Sequence, residues 1–136
     1  MKTKNSLITI EHIWSVLCAN NSVDQATQNI SLFNVLEQLN INKKELNAQR
    51  KPQVKVNIPI TFQLVTFLRK IGDGDFVGDF NIEILDPKGE IMGKGDHEIR
   101  FEGNKTRLTV IFGFTDMPIT SEGYYYFKVS IRSKGG

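Results

Sequence analysis

Three carboxylates crowd one glycine-rich stretch: Asp73, Asp75 and Asp79 fall within seven residues. Calcium is held by several oxygen ligands, and these three could supply part of such a set, with Asp24, Asp86 or Asp116 from neighbouring loops adding to it. The spacing is not that of an EF-hand, because no glutamate follows at the required position, and Asp-Gly pairs are also ordinary turn chemistry. A second chemistry is suggested by Lys43, Lys44, Arg50, Lys51 and Lys55 around one polar stretch, together with Tyr124 and Tyr126 as outward aromatics. Cations hold phosphates and rings stack on bases, so these are the ingredients of nucleic-acid binding. They are not interleaved in sequence, and Glu45 dilutes the charge, which makes nucleic acid the weaker partner class. The same tyrosines with Lys128 and Arg132 would serve equally as anchors of a protein interface.

Covalent catalysis finds less support. A nucleophile needs a base beside it and a third group to orient that base. Cys18 and His12 are six residues apart on one strand, about 20 Å at the ~3.3 Å rise of a strand, too far for a dyad. Two histidines and one cysteine with no short spacing do not suggest zinc. Neither a phosphate loop nor a dinucleotide glycine pattern is present. The expectation is a non-enzymatic chain, with calcium the one cofactor considered.

Composition supports a folded single domain over 1–136, with loose ends near 1–5 and 133–136. The chain is 40% hydrophobic and 24% charged, which is normal for a globular protein. At 136 residues it can bury roughly two-thirds of its unfolded surface without staples. The lone Cys18 rules out an internal disulfide and suits a reducing compartment, so a cytoplasmic location is expected. The basic start runs into an apolar stretch broken by Glu11 and His12, unlike a secretory signal. No span of ~18 consecutive apolar residues suggests a membrane helix. The net charge of +2 conceals nine Lys/Arg against four Asp/Glu in residues 1–70 and eight against eleven in 71–136.

The elements that would position these groups read as strands. Lys105–Arg132 organises the rest: Leu108, Val110, Phe112 and Phe114 share one face of a first arm, and Tyr125, Phe127, Val129 and Ile131 share one face of a second. Asp116, Met117, Pro118 and Ser121-Glu122-Gly123 lie between them, so the expectation is a hairpin burying its apolar face on a second sheet. Ser6–Ala19 is a strand apolar on both faces, which requires burial on both sides or a bulge that switches faces. Gln28–Ile41 is ambiguous between strand and helix, with a strand through about residue 40 favoured. Asn42–Gln53 is a long polar loop. Val54–Lys70 is a long strand in which Pro59 marks an edge or a bulge, and Val65 and Phe67, opposite the main apolar face, form a candidate exposed patch. Asp79–Leu85, the turn Asp86-Pro87-Lys88-Gly89 and Glu90–Lys94 form a hairpin, followed by a separate short strand Asp96–Phe101.

Seven or eight strands without a convincing helix make an all-β, antiparallel β-sandwich, immunoglobulin-like or C2-like. Leu17-Cys18-Ala19, Asp24, Leu32-Phe33, the Asp86-Pro87-Lys88-Gly89 turn, and Gly123, Tyr125, Phe127 and Val129 stand in an order that resembles small uncharacterised bacterial β-sandwich proteins. The resemblance rests on packing and turn residues, and it implies the fold without an activity. The expected function is a protein-binding or self-assembling module using Val65, Phe67, Tyr124, Tyr126, Lys128 and Arg132. The alternatives are a C2-like calcium- or ligand-binding sandwich and nucleic-acid binding through the basic loop.

Overall fold

Alternating apolar residues and the near absence of uninterrupted helical spacing leave the chain to pair its backbone between strands. The computed structural model describes residues 7–36 and 56–134, and the basic loop Lys43, Lys44, Arg50, Lys51 and Lys55 lies outside them, as do residues 37–41 of the ambiguous segment. Among the described residues there are seven strands: β1 (Thr9–Val23), β2 (Ile30–Val35), β3 (Val56–Ile71), β4 (Phe76–Leu85), β5 (Ile91–Phe101), β6 (Arg107–Ile119) and β7 (Tyr126–Ser133). They form two antiparallel sheets, of order β2-β1-β3-β6 and β5-β4-β7. No helix among the described residues is long and apolar enough to cross a membrane.

The apolar face of each strand fixes which side chains meet. The main core cluster takes Leu64, Leu68 and Val110 from the four-stranded sheet and Phe80, Ile82, Ile99 and Phe101 from the three-stranded sheet. A second cluster gathers Val56, Phe62, Ile84, Met117 and Ile119. Between them Phe62 stacks on Phe114 at 4.8 Å, and Phe127 of β7 meets Phe114 edge-on at 5.7 Å. Such aromatic pairs contribute about 0.5–1.5 kcal/mol beyond the area they bury.

The expected Lys105–Arg132 hairpin is not one. β6 pairs with β3 and β7 pairs with β4, so the two arms belong to different sheets. Their apolar faces do look toward one core, but across it and not side by side. The crossing is fastened by Tyr125, whose hydroxyl accepts from the N–H groups of Thr120 (2.8 Å) and Ser121 (2.9 Å) and donates to the Ser121 carbonyl (2.6 Å). Backbone groups that leave β6 without a strand partner are thereby satisfied.

Three further expectations are settled by register. A bulge between His12 and Trp14 switches the faces of β1, which accounts for its doubled apolar character. The register also shifts between Pro59 and Phe62, where the missing proline donor is absorbed. Residues 90–94 and 96–101, read as two strands, are one: β5 runs through Gly95, paired with Ile82. Gly95 does not break the strand because it makes room; a Cβ there would fall on the Phe112 ring of β6. The Asp86-Pro87-Lys88-Gly89 turn forms as expected, with Gly89 N–H donating to the Asp86 carbonyl (2.9 Å) and Gly89 at φ 86°.

Candidate functional site

The six candidate interface residues divide between two sheets. Val65 is fully buried between Val16 of β1 and Ile111 of β6. Phe67 is half-buried, its ring tilted against Trp14 at 5.8 Å. The expected exposed patch at Val65 and Phe67 is therefore packing: the strand period tells which face a residue is on, but not whether its neighbours cover it. The other four stand together. Tyr124 is 82% exposed and Tyr126 59%, and Lys128 and Arg132 are exposed along the same face of β7.

The chain positions this row from its start. Gly123 takes φ 138°, and a Cβ there would press into the Pro87 ring, so only glycine lets the β6–β7 connection close on the β4–β5 turn. Tyr125 then anchors inward while Tyr124 and Tyr126 turn outward. Across from the row on β4, Tyr126 lies opposite Leu85, Lys128 opposite Glu83 and Arg132 opposite Asp79. Neither Lys128 nor Arg132 comes within ion-pair distance of a carboxylate among the described residues; Asp79 is instead met by Lys134 Nζ at 3.4 Å, which also reaches Glu98 at 3.0 Å. The hydrogen bond from Lys134, joined by that from Arg100, holds the Glu98 carboxyl below its ordinary value.

β7 also presents backbone. Lys134 N–H donates to the Val77 carbonyl at 2.9 Å, so even-numbered residues of the strand turn their N–H and C=O toward β4. By the two-residue period, the backbone groups of Phe127, Val129, Ile131 and Ser133 point the other way, where no described strand pairs with them. The side chains of Phe127, Val129 and Ile131 pack on the core but stay half-buried, as do Ile10 and Leu17 of β1.

The carboxylates do not form a cation site. Among the described residues no group of three or more His, Cys, Asp or Glu side chains is placed to hold a metal ion. Asp75 Oδ1 accepts from Gly103 N–H at 2.7 Å, Asp79 faces Lys134, and Asp73 stands exposed. A positive charge already serves those loops: the buried Lys70 ammonium donates to the Gly74 carbonyl and, at 3.4 Å, to that of Gly103. Asp24 folds its own turn, accepting from Ala26 and Thr27 N–H groups, and the bond from Thr27 leads in holding its carboxyl below the usual value. Asp86, 2% exposed, accepts from Lys88 N–H (2.9 Å), Glu90 N–H (2.8 Å) and the Thr120 hydroxyl (3.1 Å). Burial pushes this carboxyl up, but those hydrogen bonds and the Lys88 charge outweigh it and hold it low.

One polar chain escaped the sequence reading. His12 Nε2 and Ser15 Oγ are 2.7 Å apart, and Ser15 Oγ is 2.7 Å from Thr66 Oγ1. The β1 bulge brings positions 12 and 15 to one side, and the two-faced apolar pattern of that strand was its only trace in the sequence. Chemically it is a serine with a base in reach, but no described carboxylate orients the ring, since Glu11 is turned onto Arg69 at 2.6 Å. Cys18, beyond the bulge, is buried, and burial raises its thiol pKa. On the far flank, a cavity of about 300 Å³ between β5 and β6 is lined by Ile82, Ile84, Phe112 and Phe114 with Lys94 and Asp116. The chain matches no protein-family model, no curated protein and no solved structure.

Proposed function

We propose that the chain is a non-enzymatic β-sandwich module that binds another protein along β7. The observation that carries this reading is the exposed row of Tyr124, Tyr126, Lys128 and Arg132 on a strand with one unpaired side among the described residues. Tyrosine and arginine are favoured in interfaces because they offer large contact areas and polar tips together. The sandwich is supported by a core drawn from both sheets. Its immunoglobulin-like or C2-like character rests on the resemblance to small bacterial β-sandwich proteins. A calcium-binding, C2-like reading lacks the grouped carboxylates it needs.

The test is site-resolved photocrosslinking in cells that express the chain, with the crosslinking side chain at Tyr126 or, on β5, at Asp96. A discrete protein adduct is expected from position 126, and Arg132→Glu should remove it. Equal adducts from both positions, or adducts indifferent to Arg132, would sink the reading.

A further inference from the structure

Resting on that reading, we propose that β7 binds its partner by strand addition, accepting an extended segment with acidic residues four apart and apolar residues at the alternating positions between. The backbone groups of β7 that no described strand pairs with are those of Phe127, Val129, Ile131 and Ser133, while its outward side chains belong to the other parity. Residues directly opposite on paired strands share a face. Whatever pairs with Phe127, Val129 and Ile131 therefore points its side chains inward, beside those three half-buried apolar groups at the margin of the core. Whatever lies opposite Lys128 and Arg132 points outward, next to two cations that have no carboxylate within ion-pair distance among the described residues. Hydrogen bonds supply the attachment and alternate pockets supply the selection, as in other strand-addition interfaces.

Charge also weighs against the most extensive pairing with a second copy. Antiparallel pairing of β7 with its own image about Ser130 would set Lys128 against Arg132 on both sides of the centre, and like charges opposite one another disfavour pairing. Among the described residues no strand of the four-stranded sheet approaches β7 as closely as β6 approaches β5, so none of them stands in the way of a foreign strand.

The probe is the capped peptide Val-Glu-Val-Thr-Val-Glu-Val, titrated into the full chain and followed by NMR and amide exchange. Two controls replace both Glu by Lys, or N-methylate the central Val residues that would donate to β7. Protection is expected at the amides of Phe127, Val129, Ile131 and Ser133. The Glu peptide should bind at least about tenfold more tightly than the Lys peptide, as two favourable cross-strand charge pairs replace two repulsive ones. The double variant Lys128→Glu, Arg132→Glu, on exposed side chains, should reverse that preference. N-methylation should abolish binding. Binding that survives N-methylation, or that shows no charge preference, overturns strand addition. So does no binding at millimolar peptide; persistent adducts from position 126 would then leave the surface reading standing, and their absence would remove both.

Discussion

At β5, one flank of the three-stranded sheet, Gly95 lies under the Phe112 ring of β6, and the outward charges Glu98 and Arg100 pair at 2.8 Å. At β7, the other flank, the outward charges at 128 and 132 have one sign and no carboxylate within ion-pair distance among the described residues, and the inward Phe127, Val129 and Ile131 are half-buried. Both are edge strands among the described residues, each paired with β4 on one side. The difference is that the first flank is overlain at Gly95 by a side chain of the same molecule, beside the cavity between β5 and β6, and pairs Glu98 with Arg100, while the second keeps half-buried apolar surface, backbone groups unpaired among the described residues and cations outside ion-pair distance together. An edge that combines the three is the one our proposal assigns to another chain.

Adding a side chain under Phe112 on the β5 flank gives the largest effect. Gly95→Val forces side-chain atoms into the Phe112 ring, and the overpacking should destabilise the fold by about 3 kcal/mol in urea denaturation. A null result would mean that the two flanks differ less than their packing implies. Next comes the fastening that brings the open strand onto the sheet. Tyr125→Phe deprives Thr120 N–H, Ser121 N–H and the Ser121 carbonyl of their shared partner, which should cost about 2 kcal/mol and speed amide exchange in β7 more than in β5. Equal acceleration in both strands would show that the crossing holds the whole sheet and not one flank.

The smallest effect at neutral pH belongs to Asp86, which joins the two flanks' connections by binding both its own turn and Thr120. Its carboxyl pKa is lower in the folded chain than in the unfolded one, so its contribution is complete above the ordinary aspartate value of about 3.9 and disappears as pH falls through the lower folded value. Acid titration of thermal stability should therefore show a decline below about pH 4 that Asp86→Asn makes shallower. An unchanged profile in the variant would assign the acid sensitivity to other carboxylates.

Local chemistry was legible in the sequence wherever a residue type permits few conformations. Asp86-Pro87-Lys88-Gly89 specified its turn, and Pro59 marked its register shift, because proline and glycine constrain the backbone directly. Alternation identified the inward side chains of β4 and β7. Partnership was not legible: the pattern of β6 and β7 is the same whether they lie side by side or face one another in separate sheets. Coverage was hidden too, so Val65 read as surface although Val16 and Ile111 enclose it. The candidate site was half visible. Tyr124, Tyr126, Lys128 and Arg132 could be read as one outward row, but that their strand is an edge follows only from β4 being its sole described neighbour. The His12–Ser15 contact depends on a bulge whose place no residue type announced.

The crossing of β6 to β7 also sets the pace at which the chain can assemble. With its arms in different sheets, β7 finds no neighbour nearby in sequence; it must meet β4, where Gly78 pairs with Ser133 about fifty residues downstream. β6 likewise returns to β3 over a long interval. Loop closure must precede the contacts that reward it, which places such non-local topologies among the slower folders, on the millisecond-to-second scale. During that interval β7 is an unpaired segment of alternating apolar and polar residues, and its Lys128 and Arg132, with Lys134 beyond, are charges of the kind that discourage edge-to-edge pairing.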